Sequence, residues 1–357
     1  MDKKIKILLF CTAPFLLFGC KKKATQAPAK ATVSAGAVLS SEASIVIAPM
    51  YVTLANNASL LYNGTIAFQS APTQQNLANC RQLWLNASAA YEQSAATLFG
   101  AGGSLGADPA SLINTYPIDT AGINQLISGN TPAAFTLDFI DSLPTYLTGF
   151  HGIEFELYGI KGNKTASEFT ASQLSYIAAV ALNIKTLTSQ VDSAWNGPFQ
   201  YQFAGAGSGS MIYPDQRAAF SDLTMAIANI CETDAIYKLD GILINKSTIL
   251  QESPFANNSV NDIVNNLVGV RNLYYGQYGG YTGTGLTAFV YPNGENLDVK
   301  IKADLNIAIT AVSSITQPLS QAIYTQNTQI NTAISACDSL DDDLKVDLLT
   351  YLNKYTN

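Results

Sequence analysis

The 357-residue chain has one histidine, three arginines, five cysteines and charge on only 13% of its residues. Each shortage excludes something. A single imidazole cannot supply the paired histidines of His-Glu-x-x-His zinc hydrolases. Cys80, Cys231 and Cys337 are far apart and form no Cys-x-x-C pair, which argues against a zinc–thiolate cluster. One disulfide with a spare thiol, or three buried thiols acting as small hydrophobes, both fit the sequence. The formal net charge of −7 comes without a basic stripe, so nucleic acid is not an expected partner. Arg81, Arg217 and Arg271 stand against sixteen lysines. That scarcity suggests that each arginine makes a planar, bidentate contact that lysine could not replace.

What is present begins with an export signal. Lys3, Lys4 and Lys6 precede an apolar run from Ile7 to Phe18, and Leu17-Phe18-Gly19-Cys20 closes it with a small residue before a cysteine. Residues 1–19 therefore read as a lipoprotein signal peptide, too short to span a bilayer, with Cys20 as the lipidated first residue. Its loss removes three lysines and Asp2, a net +2, and takes the charge from −7 to −9. Lys21-Lys22-Lys23 and the Ala/Thr/Pro/Gln/Ser stretch beyond read as a flexible tether over residues 20–43. The expected location is the bacterial cell envelope, lipid-anchored at the outer membrane and facing the periplasm or cell surface.

The rest is patterned for helix. Leu77, Arg81, Trp84, Leu85, Ser88 and Tyr91 keep three- and four-residue spacing, with Thr73 placed to cap them. Ala171 to Trp195 keeps helical period throughout, Gln216 to Leu243 reads as another helix, and Leu297 to Leu352 as two closing helices. Sustained alternation is absent, although Thr287 to Tyr291 is a short β-like run. Gly100 to Gly106 lacks the Lys-Ser/Thr ending of a phosphate loop and reads as a connection. Residues 197–213 and 276–285 are rich in glycine and tyrosine and read as long loops suited to recognition. The expected architecture is all-α, two helical-bundle domains side by side over residues 44–163 and 164–357.

The lone histidine sits in Gly149-Phe150-His151-Gly152-Ile153-Glu154. On a helix His151 and Glu154 share a face, and Tyr158 continues it, whereas Glu156 points elsewhere. The face offers a nitrogen, an anionic oxygen and a phenol, which suits a cation or a polar ligand. It equally suits a buried histidine held by its own carboxylate.

This segment resembles the Gly-x-His-x-x-Glu signature of the imelysin family. Further blocks occur in that family's order: Arg81 to Trp84 with Tyr91-Glu92, Tyr116-Pro117-Ile118-Asp119, Glu252-Ser253-Pro254-Phe255 through Asp262, and Gly269 to Gly276. The resemblance covers about residues 44–352. Ala256 stands where serine is common in the family. The resemblance implies two helical bundles with a site between them, on exported or lipid-anchored proteins linked to bacterial iron uptake. It implies that His151, Glu154, Arg81, Asp119, Glu252, Ser253 and Arg271 lie in or near that site. His151 and Glu154 are the candidate metal ligands, for iron or another divalent metal. Some family members were first described as peptidases, so metal-dependent hydrolysis is the runner-up to non-catalytic binding of iron, an iron-bearing ligand or an uptake partner. A non-catalytic interaction protein of the envelope is the third reading.

Overall fold

Helix begins earlier than composition alone suggests. In the computed structural model, which describes residues 33–100, 108–248 and 250–356, Ser34 accepts the Ala37 N–H and starts helix α1, Ala35–Ser41. The signal peptide, Cys20 and residues 101–107 lie outside the described residues. Ala35, Val38 and Leu39 fall on one buried stripe, so the tether expected over residues 20–43 must end before residue 34. The Ala/Ser-rich average of that stretch hides a short apolar periodicity, and burial of that stripe stabilises the turn.

A π-helical segment, Glu42–Ile47, joins α1 to α2, Ala48–Ser70. The combined helix is long and apolar enough to cross a membrane. Its Met50, Tyr51, Leu54, Ala58 and Leu61 are buried in the protein core, as in the central helix of a globular domain. Helix α3, Gln74–Ser94, is capped by Thr73 through the Asn76 N–H, as the spacing predicts. Short helices follow: α4, Pro109–Ile113; α5, Thr120–Ser128, capped by Asp119; and α6, Leu137–Asp141. Then come α7, Gly149–Tyr158, and α8, Ala171–Trp195, the latter with a Thr170/Gln173 capping box.

Helix α9, Pro198–Ala204, occupies seven of the seventeen residues expected to be a loop. Proline at its first position and the burial of Phe199 and Phe203 explain the difference. The second half comprises α10, Gln216–Glu232; a π-helical segment, Thr233–Asp240; α11, Gly241–Asn245; and α12, Ser259–Tyr275. The second glycine/tyrosine stretch forms a small antiparallel hairpin, β1 Gln277–Tyr278 with β2 Tyr281–Thr282, the only strands among the described residues. Helix α13, Leu286–Ser313, absorbs the β-like run and kinks at Pro292–Gly294. The chain closes with α14, Leu319–Thr325; α15, Asn327–Asp342; and α16, Leu349–Tyr355.

Helix α2 packs on α3 and α8, and α7 lies against α3 and α8. Helices α10, α13 and α15 belong to a second set, and α12 touches α3 on one side and α13 on the other. A boundary at 163/164 would therefore separate α8 from the helices it packs on, because period alone says nothing of a helix's neighbours. The fold is all-α, and one hydrophobic cluster extends through both sets. Cys80, Cys231 and Cys337 are buried free thiols within it.

Candidate functional site

Every residue of α7 from Gly149 to Leu157 is buried. Two glycines let it fit. Gly149 has φ +73°, and a Cβ there would sit 2.8 Å from the Ile113 carbonyl oxygen. A Cβ on Gly152 would sit 2.6 Å from the Tyr176 hydroxyl. Helix α3 then grips α7 at both ends. Trp84 Nε1 donates to the Phe150 carbonyl at 2.9 Å. Arg81 donates through Nε and Nη2 to the Leu157 carbonyl at 3.1 and 2.7 Å, and again to that of Lys164, while stacking over Tyr158. Arg81 is therefore a clamp on the helix C-terminus, away from the cavity described below.

That clamp fixes the histidine. His151 Nδ1 lies 2.9 Å from Glu154 Oε2, and the other Glu154 oxygen accepts the Phe255 and Ala256 N–H groups, each at 2.8 Å. Glu154 thus spends both oxygens on orienting the ring and pinning the 252–258 segment. Ala256 contributes through its backbone, so this contact needs no hydroxyl. Tyr116 meets the imidazole edge-on at 5.7 Å between ring centres. The remaining nitrogen, Nε2, is buried without a hydrogen-bond partner. Burial pulls the His151 pKa down, but the bond and charge of Glu154, with Glu252 and Asp262, raise it above 6.5 overall. Burial also raises Glu154, and His151 and the two N–H groups offset part of that rise.

His151 forms part of the wall of a cavity of about 640 Å³, with Tyr116, Asp119, Lys161, Gln251, Glu252 and Phe255 among the other lining residues. The volume suits a small molecule more than a bare ion. Behind Glu252 lies a buried ionic cluster that the sequence did not reveal. Lys238 Nζ is 2.7 Å from Glu252 Oε2, 3.4 Å from Asp234 and 3.7 Å from Glu92. Asn114 bridges Glu92 and Glu252, and Asn266 donates to Glu92 Oε2 at 2.7 Å. Asp262 accepts from Ser88 and Asn258. Burial, with the charge of Glu252, pushes Glu92 well above the carboxylate range and Asp262 up to about 7. Burial, offset in part by Lys238, brings Asp234 to about 7. Burial would lower Lys238, but its carboxylate neighbours hold it charged well above its ordinary value.

Of the expected site residues, His151, Asp119 and Glu252 line the cavity, and Glu154 stands directly behind the histidine. Asp119 also spends one oxygen capping α5 through the Gly122 N–H at 2.9 Å. Ser253 is fully buried beside Glu252 and is not on the cavity wall, although its N–H meets Ser259. Arg271 does not line the cavity either, and its Nε is buried without a partner. No group of three or more metal-ligating side chains occurs among the described residues. Sequence reading missed the roles of Tyr116, Glu92, Asn114, Asp234, Lys238 and Asn266. The four-residue spacing of Asp234 and Lys238 in a helical stretch was the one available signal.

An all-helical protein with an oriented imidazole on a cavity wall and a buried ionic cluster behind it is the class these observations define. The chain belongs to the imelysin family, whose model (Peptidase M75, imelysin) matches residues 47–346. It is similar to iron-regulated protein A of Synechococcus elongatus, 28% identical over 237 residues, which are 65% of this chain and 62% of that relative. The match therefore spans less than two thirds of that relative's length. Its fold resembles a protein from Parabacteroides distasonis described as an iron-regulated protein A precursor, with TM-score 0.79 and 19% identity over 91% of this chain and 98% of that one. It also resembles an imelysin-like protein from Psychrobacter arcticum, with TM-score 0.73 and 19% identity at the same coverage.

Proposed function

We propose that this protein is a lipid-anchored component of the bacterial envelope that binds a metal-bearing small ligand, with iron as the metal, in the cavity beside His151. The observation that carries this reading is the His151 ring itself. Nδ1 is committed to Glu154, a carboxylate–histidine pairing of the kind that orients metal-binding imidazoles, and Nε2 is left buried and unpartnered. A metal at that nitrogen would have Glu252 as the second protein group within the same cavity, its oxygens already meeting Asn114 and Lys238. Iron tolerates mixed histidine/carboxylate ligation. Two protein donors would leave the metal to bring its other ligands with it, which agrees with a cavity of about 640 Å³. The names of the relatives, which call them iron-regulated, support the choice of metal. Glu154 acts as the positioning group, and the Leu17-Phe18-Gly19-Cys20 sequence supports anchoring at Cys20.

Calorimetric titration with ferric and ferrous chelates, with metal-free chelators and with bare divalent ions tests this. Chelated iron binds the parent protein, and His151→Ala weakens it at least about tenfold, or ~1.4 kcal/mol. Equal affinity in the variant removes His151 from the site. Metal-dependent peptide turnover that vanishes in the same variant replaces binding by hydrolysis.

A further inference from the structure

The stretch from Ser193 to Pro214 contains no Asp, Glu, Lys or Arg, in a chain of net charge −7. It carries α9 and the turn after it, and that turn is well tied down. Gln202 Oε1 accepts the Met211 N–H at 2.6 Å and the Ser210 hydroxyl at 3.1 Å. Ser210 Oγ in turn accepts the Ile212 and Tyr213 N–H groups. Beneath it Tyr213 packs edge-on against Phe199 and Phe203. On this rigid base Met211 is 91% exposed, Tyr201 74% and Ile212 54%. Three apolar side chains are thus held out in water on this scaffold, largely uncovered by the described residues.

Their place in the molecule indicates what covers them. Helix α1 packs on α9 and α10, and a Cβ on Gly36 would lie 2.9 Å from Gln216 Nε2. Gln200 donates to the Ala43 carbonyl at 3.3 Å, and a Cβ on Gly207 would lie 3.3 Å from the Asp215 Cα. The apolar turn and the start of α1 therefore lie near one another. Twelve residues separate Cys20 from Val33. A chain of that length reaches at most ~45 Å when fully extended.

We propose that Tyr201, Met211 and Ile212 form a membrane-contact surface that dips into the leaflet holding the Cys20 lipid and fixes the domain's orientation on it. This rests on the anchored-lipoprotein reading above. Methionine and isoleucine supply apolar area, tyrosine suits the headgroup boundary, and the uncharged stretch meets no repulsion from anionic lipid.

The test is Trp fluorescence of the full lipidated chain in vesicles with brominated acyl chains. Native Trp84 and Trp195 are fully buried and give a constant background. Met211→Trp and Ile212→Trp are read separately, against Ile66→Trp as control. Ile66 is thirty residues beyond Gly36 on the continuous helix from Ala35, about 45 Å away. Variants are accepted when their Tm equals the parent's, and mass spectrometry reports acylation of Cys20. The expected result is a blue shift and quenching for the 211 and 212 probes and neither for the control. Absence of quenching with Cys20 acylated overturns the proposal, as does equal quenching of all three probes. A blue shift that follows protein concentration without vesicles overturns it in favour of self-association. If Cys20 proves unacylated, quenching of the same probes on added vesicles keeps the surface and discards the anchor, and no quenching discards both.

Discussion

Glu154 decides what His151 can do. Without its carboxylate the ring would keep only the effect of burial, which lowers the pKa, together with the more distant charges of Glu252 and Asp262. Because the chain has one histidine, its Hε1 proton gives a single titrating NMR signal. In Glu154→Gln the His151 pKa falls below that of the parent, and an unchanged titration curve would remove Glu154 from its positioning role. The pair was legible in the sequence because three-residue spacing puts both side chains on one helical face. The use of both Glu154 oxygens was not, because the Phe255 and Ala256 N–H groups arrive from a segment about a hundred residues away.

At the scale of elements, two contacts carry the site. Arg81 is a fork on two carbonyls at the C-terminal end of α7, the bidentate use that arginine scarcity suggests. Arg81→Lys loses that fork and costs about 1–2 kcal/mol, read as a lower Tm. Gly269 brings α12 against α3, where a Cβ would stand 2.3 Å from the Gln93 carbonyl oxygen. Gly269→Ala pushes the helices apart at a cost of about 1–3 kcal/mol and loosens the Asn266–Glu92 bond one turn away. A Tm equal to the parent's would show that the backbone relaxes there without cost. The Thr73 cap was readable because capping is local, whereas Asp119 was read only as a site residue. Helices α1 and α9 were read as loop because what stabilises them is burial against distant helices, which no window of sequence contains.

For the whole molecule the buried carboxylates set a pH dependence. Asp234 and Asp262 titrate near 7 in the folded chain, above the ordinary 3.8, with burial as the first cause of each. Between about pH 4 and about pH 7 the folded state therefore holds protons that the unfolded state has released, and stability falls as pH rises through that window. His151, raised above 6.5, acts in the same direction. Thermal unfolding in metal-free buffer should give a Tm several degrees higher near pH 5 than near pH 8, with a shallower slope in Asp262→Asn. A Tm that climbs with pH would contradict the burial of this cluster.

By itself the sequence determined the helical class, the family signature and the His151–Glu154 face, since each depends on spacing within a dozen residues. Only the tertiary structure decided that α8 belongs with α2 and α7, that Arg81 holds a helix end, and that Lys238 sits among Glu92, Asp234 and Glu252. The reason is that desolvation and charge pairing are properties of a neighbourhood in space, and here that neighbourhood is gathered from residues spread between 88 and 266.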